Sequence, residues 1–277
     1  MTNSYSILIN TCDKFEDCWD PFFKLFSIYW PDFQGKIYLN TEYKDYSYSG
    51  INIVPIKGCA VNNIQKNKRV TWSQCLKWAL ESIDDDIILY MQEDYFLKDS
   101  VNNHCVEYFY DQMINYQEIP CIQLTHEGIP AIDKSRYEKL FTSNPDFFSY
   151  VSCQASFWRK EVMLSLLREH ETAWNFEWWG SKRAKYLGYE FLVVDPNLMD
   201  STQFQILPYI FTGVIGGKWY KQVIETFEKN EIIVDYSIRG FFEENVKPTI
   251  KNKIKTKMSI WKIRSFMEIW KLKLMKD

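Results

Sequence analysis

The sequence predicts an α/β fold in which a mostly parallel β-sheet is flanked by helices. Two observations lead to this prediction. Short apolar runs alternate with segments of helical periodicity along the chain, an order typical of parallel strands joined by crossover helices. The chain has 277 residues, of which 46% are hydrophobic and 25% charged. It is therefore long enough for one large domain with a buried core, and its composition argues against disorder.

The first half of the chain contains four predicted strands, at residues 5–9, 36–39, 51–56 and 87–91. A helix begins near Asp20 and Pro21, because Asp caps helix N-termini well and Pro fits the first helical position. A second helix leads into the strand at residues 87–91. Apolar side chains recur every three or four residues in both helices, namely Phe22, Leu25, Phe26 and Tyr29, and then Trp72, Leu76, Ala79 and Ile83.

The second half continues with less regular elements. We predict strands at residues 121–125, 151–157 and 190–194, and helices at residues 101–116, 161–168 and 174–187. The last helix ends at Gly188, since Gly just past a periodic segment is the usual C-terminal signal. No repeat or low-complexity linker divides the chain, so we expect one domain over residues 1–234 and a separate tail over residues 235–277.

Two carboxylates, Glu93 and Asp94, directly follow the apolar strand at residues 87–91. In an open α/β sheet, ligands bind outside the carboxyl ends of the strands. The pair is therefore a candidate metal or diphosphate site. The acidic triplet at residues 84–86 precedes the same strand and should lie at its opposite end, where we interpret it as a solvated turn.

The tail combines positive charge with helical periodicity. Residues 250–277 carry a net charge of +7, although the whole chain has a net charge of −3. Apolar residues recur at Ile260, Ile263, Met267, Trp270 and Leu274, among the basic residues Lys251, Lys253, Lys255, Lys257, Lys262, Arg264, Lys271, Lys273 and Lys276. Such a segment suits the headgroup region of an anionic membrane. The alternative is a helix packed on the domain or on a second subunit.

Several other classes of protein lack support in the sequence. The seven Cys form no CxxC pair, and we expect neither a zinc knuckle nor a disulfide framework, but a reduced cytosolic chain. We expect neither a signal peptide nor a membrane span. His104, His126 and His170 lack metalloprotease spacing, and phosphate-loop and dinucleotide fingerprints are missing. Nucleic-acid binding is disfavoured, because the main body is acidic and no recognition motif is present.

Several motifs stand in a recognisable order. They are Asn10-Thr11-Cys12-Asp13, Asn40-Thr41-Glu42, Arg69 ahead of Trp72-Ser73, the stretch Tyr90-Met91-Gln92-Glu93-Asp94-Tyr95, Phe157-Trp158-Arg159-Lys160, and Trp174-Asn175-Phe176-Glu177-Trp178-Trp179-Gly180. In this order, over about residues 5–220, the chain resembles nucleotide-sugar-dependent glycosyltransferases of the GT-A fold, especially bacterial enzymes of surface polysaccharide synthesis. The resemblance implies a GT-A-like sheet and a nucleotide-sugar donor, with UDP-sugars favoured.

The resemblance also implies roles for residues at the donor side. Thr11, Asp13 and Glu42 would lie near the nucleobase and ribose, and Arg69 near the diphosphate. These roles suit the chemistry, because carboxylates accept from base and ribose donors while a guanidinium forks onto phosphate oxygens. The alternative for Thr11 and Asp13 is that each caps the helix after its strand.

In the resembling enzymes, the last Asp of a DxD-type motif holds a divalent ion that bridges the donor diphosphate. Asp94 takes this position, and Mn²⁺ or Mg²⁺ would be its ion. Gln92 departs from the motif, because an amide is a poorer ligand than a carboxylate. Glu93 would bind hydroxyls of the donor sugar. The alternative is a capped strand end.

For the reaction itself, the resemblance implies an inverting transferase with Glu177 as general base, at the start of a helix and flanked by Trp rings that form an acceptor platform. Desolvation by those rings would raise its pKa. A Glu favoured by the helix macrodipole is the alternative, and a retaining mechanism stays open. Lys218, after Gly216-Gly217 and before a predicted helix, is a candidate phosphate ligand. A structural Gly turn is the alternative there.

The resulting hypothesis is a glycosyltransferase that moves a hexose-type unit from a nucleotide sugar onto a lipid-linked glycan. The enzyme would work in the cytoplasm, peripherally at the inner face of the plasma membrane, in lipopolysaccharide or capsule synthesis. The departure at Gln92 keeps a different class open, namely a non-catalytic carbohydrate-binding or scaffold protein. A nucleotidyltransferase is disfavoured, because residues 11–15 contain no Gly-rich, Arg-containing loop.

Overall fold

A computed structural model of the chain describes residues 5–125, 129–199, 206–243 and 263–275. Within these ranges, nine strands form one sheet. In chain order they are β1 (Ser6–Asn10), β2 (Ile37–Asn40), β3 (Ile53–Pro55), β4 (Ile87–Gln92), β5 (Cys121–Gln123), β6 (Ala131–Lys134), β7 (Leu140–Ser143), β8 (Ser156–Arg159) and β9 (Leu192–Val194).

The strands lie in the spatial order β3-β2-β1-β4-β8-β5-β9-β7-β6. The first four pair in parallel, with β1 between β2 and β4. Strand β8 runs antiparallel to β4 and β5, and β7 runs antiparallel to β6 and β9. Because β5 and β9 are parallel, seven strands of this sheet share one direction. The predicted α/β class with a mostly parallel sheet is confirmed.

Helices cover both faces of the sheet. In the described ranges they are α1 (Trp19–Tyr29), α2 (Gly58–Val61), α3 (Trp72–Glu81), α4 (Asn103–Asn115), α5 (Lys160–Leu166), α6 (Ala173–Asn175), α7 (Ser181–Leu187), α8 (Pro196–Met199), α9 (Val223–Lys229) and α10 (Ile263–Leu274), with a 3₁₀-helix at Asp13–Cys18 and a π-helix at Phe176–Gly180. Ile7 and Ile9 pack with side chains of α1 and α4, whereas Leu8 packs with α3 and α5. The alternation along β1 thus supplies both cores.

Two predicted elements differ from the structure. The strand predicted at residues 151–157 starts only at Ser156, because the Cys153 amide donates to the side chain of Glu177 and not to a neighbouring strand. The helix predicted at residues 174–187 is interrupted by the π-helix, where the backbone follows i→i+5 spacing. Gly188 ends it with a φ of 81°, as predicted.

A two-stranded hairpin follows the sheet, formed by β10 (Val214–Ile215) and β11 (Lys218–Trp219). Residues 235–243 pack beside it, since the Trp219 amide donates to the Gly240 carbonyl at 3.0 Å and the Phe242 amide to the Trp219 carbonyl at 2.8 Å. The chain on both sides of residue 234 therefore contacts β11. The domain boundary placed there stays a prediction.

Helix α10 is the described part of the basic tail, and it docks on the domain by one side. Ser265 is fully buried and donates to the Glu171 carboxylate at 2.7 Å, while Glu268 pairs with Arg168. No helix within the described ranges is both long and apolar enough to cross a membrane. Ile260 and the basic residues at 251–262 and 276 lie outside the described residues.

Candidate functional site

A cavity of about 520 Å³ lies at the carboxyl ends of β1 and β4, the edge of an open α/β sheet at which ligands bind. Its described lining comprises Asn10, Thr11, Cys12, Phe15, Trp72, Gln92, Glu93, Asp94, Tyr95, Cys153, Gln154, Ala173, Trp174, Glu177, Phe211, Thr212, Val214, Ile215, Gly216 and Gly217. Glu93, Asp94 and Glu177 therefore share one cavity, although they come from distant parts of the chain. The acidic triplet lies at the other end of β4, where Asp85 accepts from Ser6 at the start of β1.

Asp94 is buried and already hydrogen-bonded within the protein. Its Oδ2 accepts from the Thr212 hydroxyl at 2.8 Å and from the Val214 amide at 3.1 Å. Burial raises the pKa of the Asp94 carboxyl, and these hydrogen bonds partly oppose the rise. Burial and the neighbouring Asp94 charge raise the pKa of Glu93 well above its usual range. A cation in the cavity would stabilise the charged forms of both Glu93 and Asp94.

The segment that holds Asp94 depends on a close backbone approach at Gly213. The Gly213 amide donates to the Asp94 carbonyl at 2.9 Å. A Cβ at this position would lie 2.3 Å from the Phe96 ring and 2.9 Å from the Asp94 carbonyl oxygen. Only Gly fits there without a shift of the ring or the backbone, so this residue fixes how Thr212 and Val214 meet Asp94.

Glu177 lies in the π-helix and faces the cavity from the opposite half of the fold. Its Oε1 accepts a hydrogen bond from the Cys153 amide at 2.8 Å. Burial raises the pKa of Glu177, and the hydrogen bonds from Cys153 partly oppose this rise. The result is a carboxylate held by its neighbour and more basic than a Glu in water.

The rings that line the cavity differ in part from those expected next to Glu177. Trp174 lines the cavity and is 76% exposed, and Trp72 and Phe211 also line it. Trp178 and Trp179 do not belong to the lining: the Lys182 ammonium lies 4.7 Å from the Trp178 ring centroid, and Trp179 is buried. Of the Trp rings next to Glu177 in the sequence, Trp174 thus belongs to the described lining and Trp178 and Trp179 do not, and a contact of these rings with an acceptor stays a prediction.

Of the predicted nucleotide contacts, Thr11 lines the cavity and accepts from the Trp19 indole at 2.9 Å. Asp13 and Glu42 are not among its described lining residues, and the side chain of each accepts a hydrogen bond from the backbone amide of the other. The Asp13 carboxylate accepts from the amides of Glu42 at 2.8 Å and Tyr43 at 3.0 Å, and Glu42 accepts from the Asp13 amide at 3.3 Å. These side chains tie the loop after β1 to the loop after β2. Their contact with a nucleotide stays a prediction.

The two predicted phosphate ligands also lie outside the lining. Arg69 is exposed in the loop before α3. Lys218 is exposed in β11 and does not begin a helix, which corrects the sequence argument for it. Gly216 and Gly217, with φ of 59° and 83°, form the turn of the β10–β11 hairpin, and such a turn requires positive φ at both central residues. This turn lines the cavity, but the interpretation as a phosphate-holding helix start is wrong.

Sequence reasoning missed several residues of the site. Gln154 lines the cavity and accepts from the Tyr209 hydroxyl at 2.8 Å, and Thr212 holds Asp94. Arg239 is nearby: its guanidinium pairs with Asp17 and lies 4.4 Å from the ring centroid of Phe15, which lines the cavity. None of these residues belongs to a local motif, because each reaches the site only through the tertiary fold.

The charge of the cavity limits what can bind there. Among its described lining residues are three carboxylates and no Lys, Arg or His. A diphosphate alone would be repelled by these carboxylates, whereas a divalent cation bound to Glu93 and Asp94 would offset the repulsion. The oxygen donors present fit Mn²⁺ or Mg²⁺.

No family model and no curated protein matches this sequence. Among solved structures, the chain is similar to glucosyl-3-phosphoglycerate synthase from Mycobacterium tuberculosis in complex with Mn²⁺ and UDP-glucose, at 9% identity over 87% of this chain and 81% of that one, with a TM-score of 0.44. It is also similar to a mycobacterial protein, at 10% identity over 87% and 76% of the two chains and a TM-score of 0.45.

The same synthase in complex with phosphoglyceric acid matches at 9% identity over 65% of this chain, with a TM-score of 0.40. The chain spans 64% of the length of the synthase in that structure.

Proposed function

We propose that the protein is a glycosyltransferase that moves a sugar from a nucleotide-sugar donor, UDP-linked by preference, to a glycan acceptor. One observation carries the proposal: the strand-end pair Glu93 and Asp94 and the distant Glu177 line the same cavity. Sugar transfer needs a site for the donor diphosphate and a base for the acceptor hydroxyl. Glu93 and Asp94 would supply the first of these functions and Glu177 the second.

At the donor side, Asp94 and Glu93 would hold Mn²⁺ or Mg²⁺. When bound, such an ion neutralises the charge that develops on the departing nucleotide diphosphate. Thr212 and Val214 orient the Asp94 carboxylate through their hydrogen bonds to Oδ2. Gln92, at the first position of the acidic motif, lines the cavity as a neutral hydrogen-bonding group.

At the acceptor side, Glu177 takes the proton from the attacking hydroxyl. The Cys153 amide fixes Oε1, and burial keeps the carboxylate basic. The exposed Trp174 ring and the rings of Trp72 and Phe211 offer apolar faces for stacking on a sugar. Direct attack with a single base corresponds to an inverting reaction.

A donor screen tests this function. Thermal shifts and nucleotide release are measured with UDP-, GDP-, CMP- and dTDP-sugars, each with and without Mn²⁺. We expect one donor class to raise the melting temperature only with the metal, and to release nucleotide in the presence of a glycan acceptor. The alternative is a non-catalytic carbohydrate-binding or scaffold protein, which would release no nucleotide from any donor.

The proposal extends to a lipid-linked acceptor in surface polysaccharide synthesis and to peripheral binding at the inner face of the plasma membrane through α10. The side of α10 that faces solvent is apolar: Ile263 is 71% exposed, Met267 53%, Trp270 57% and Leu274 55%. These positions follow one another at three- and four-residue spacing and form a stripe along the helix. A stripe directed away from the domain is available to enter the headgroup region of a bilayer.

Basic side chains flank this stripe. Arg264 and Lys271 lie on one side of it and Lys273 on the other, if each residue turns the helix by about 100°, and all three are exposed. Their charges match the negative headgroups of anionic lipids. Because Ser265 and Glu268 attach the opposite side to the domain, the body of the protein would stay in water while the stripe enters the lipid.

Vesicle sedimentation tests this contact with the full-length protein. Substituting Trp270→Ser with Leu274→Ser should lower binding to anionic vesicles about tenfold or more, since each ring or aliphatic chain that enters lipid contributes roughly 1.5–3 kcal/mol. Ile132→Ser with Phe148→Ser is the matched control, because both of these residues are also exposed and apolar. The membrane contact would be ruled out if the two double variants bound anionic vesicles equally well. It would also be ruled out if a chain lacking residues 250–277 bound them as well as the full-length protein does.

A further inference from the structure

We propose that Glu42, Cys59 and Cys75 form a second metal site, separate from the cavity, that binds a borderline-soft divalent cation of the Zn²⁺ type. The three residues come from the loop after β2, from α2 and from α3. One carboxylate oxygen and the two Sγ atoms all lie within 4.8 Å of one another. This inference does not depend on the proposed glycosyltransferase activity.

The backbone around the cluster fixes two of its members. The Glu42 carbonyl accepts from the amides of Cys59 at 3.0 Å and Ala60 at 3.1 Å, so the loop and the start of α2 are held together. Cys59 is 1% exposed, and Cys75 is half-buried in the first turn of α3, whose N-terminus is capped by the Thr71 side chain. The donor atoms thus converge on elements with defined positions.

The donor set selects the kind of cation. Two thiolates and one carboxylate match Zn²⁺, whereas Mg²⁺ and Ca²⁺ prefer oxygen atoms alone. Two sulfur atoms on one tetrahedral Zn²⁺ are about 3.8 Å apart, because Zn–S bonds are about 2.3 Å long. From a separation of at most 4.8 Å, small side-chain rotations complete the site. Glu42 and Cys75 are half-buried, which leaves a fourth position to water.

Within the described part of the chain, the two lysines closest in sequence to Glu42 and Cys59 are paired with other carboxylates. Lys44 pairs with Glu16 and Lys57 with Asp45, and in the described part of the chain Glu42 forms no ion pair. Metal binding would release the thiol protons, so affinity should rise with pH.

The site would brace the edge of the sheet beside the cavity. Glu42 accepts from the Asp13 amide at 3.3 Å, and Asp13 follows the cavity residues Thr11 and Cys12. A cation on Glu42 therefore stabilises the loops after β1 and β2 in one arrangement. Its role is structural, in contrast to the proposed oxygen-bound ion at Asp94.

Titration with Co²⁺ under reducing conditions tests the proposal, because cobalt bound to thiolates gives a charge-transfer absorption band that oxygen ligands do not give. We expect one Co²⁺ per chain with this band, its displacement by Zn²⁺, and tighter binding at higher pH. Cys75→Ser and Glu42→Gln should each weaken binding at least about tenfold. Cys105→Ser is the control, since Cys105 is a half-buried thiol on α4, and Asp94→Asn should leave the band unchanged.

The wild-type protein alone can overturn the proposal, by showing no thiolate band with Co²⁺. The proposal would also be overturned if Cys75→Ser gave the same band and bound Co²⁺ with the same affinity as the wild type. Cys59 is buried, so its replacement could perturb folding. For this reason, alkylation of Cys75 in the wild-type chain is also mapped by mass spectrometry. Zn²⁺ should protect Cys75 and leave Cys105 as reactive as before, and equal reactivity of Cys75 with and without Zn²⁺ would contradict the site.

Discussion

The two acidic ends of the cavity are built in different ways. Asp94 follows a regular strand, and its carboxylate accepts two hydrogen bonds from residues 212 and 214. Glu177 lies in a π-helix, and its carboxylate accepts from the Cys153 amide. Hydrogen bonds favour the charged form of a carboxylate, but burial raises the pKa of both groups, and the hydrogen bonds only partly oppose that rise. In the proposed mechanism Asp94 belongs to the donor side and Glu177 to the acceptor side, and the different surroundings of the two carboxylates make this assignment testable.

The strongest test of this contrast is Glu177→Gln. The amide keeps the shape of the side chain but cannot accept the proton, so transfer should fall by about 10²–10⁴-fold. Donor affinity should stay within about twofold, since the donor binds at the other end of the cavity. Initial rates and isothermal titration with the donor measure the two quantities. Near-normal turnover would remove Glu177 from the mechanism.

Asp94→Asn should have the converse effect. Loss of a charged ligand should weaken metal-dependent donor binding about 10–100-fold, which corresponds to the roughly 1.5–3 kcal/mol of a charged hydrogen bond. Titration of the donor with and without Mn²⁺ measures this loss. Asp85→Asn is a matched control, because Asp85 lies at the other end of β4 and should leave donor affinity unchanged. If Asp94→Asn bound donor as tightly as the wild type does, the donor side would have to be reassigned.

The pH dependence should separate the two ends. Burial raises the pKa of Glu177 above the usual 4.5, and the protonated acid cannot act as a base. The rate at saturating donor should therefore fall as pH decreases through this raised pKa, and the fall should begin at a higher pH than for a Glu in water. Donor affinity should fall at low pH through Glu93 and Asp94 instead. Rate profiles at saturating donor, compared with donor affinities across pH, check this separation.

The smallest expected effect concerns stability without ligands. Burial and the Asp94 charge raise the pKa of Glu93 in the folded protein, so this carboxyl opposes folding at neutral pH; the cost shrinks as pH falls below the folded pKa and vanishes below the usual Glu pKa of 4.5. Glu93→Gln should therefore raise the melting temperature at pH 7 by a few degrees, since ~1 kcal/mol corresponds to about 2–4 °C in a domain of this size.

The difference in melting temperature between Glu93→Gln and the wild type should shrink at acidic pH. Glu118→Gln is the control. Its carboxylate is exposed and its hydrogen bonds lower its pKa, so its replacement should bring no gain. Scanning calorimetry across pH would contradict the interpretation if Glu93→Gln were less stable than the wild type at pH 7.

Local patterns were sufficient to place Glu93 and Asp94 at the carboxyl end of β4, where the cavity lies. The apolar run of β4 identifies a buried strand, and the direction of that strand separates Glu93 and Asp94 from the acidic triplet before it. Periodicity also located α1 and α3, with the Thr71 cap as the structural start of the latter. These features depend on residues within a few positions of one another, which is the range over which sequence patterns are informative.

The remainder of the site depends on contacts between distant segments. Thr212 and Gln154 have no motif, and the π-helix that contains Glu177 is a change of spacing that periodicity does not reveal. For Gly216-Gly217 the sequence left a phosphate-holding helix start and a structural turn open, because Gly signals a break in the chain without indicating which element follows; the structure shows the turn. The short strands β6 and β7 were not predicted, because their sequences show no clear alternation of apolar and polar residues.

The π-helix at Phe176–Gly180 has a consequence for the evolution and redesign of this chain. A turn with i→i+5 spacing accommodates one residue more than an α-helical turn. Deleting a single residue N-terminal to Glu177 in this segment would restore regular geometry, but it would rotate the acid by about 100° around the axis. The more ideal helix would thus present its carboxylate to a different neighbour than Cys153. A design that replaces the π-helix by a regular α-helix should therefore move the Glu177 carboxylate away from the Cys153 amide, even if it stabilises the helix.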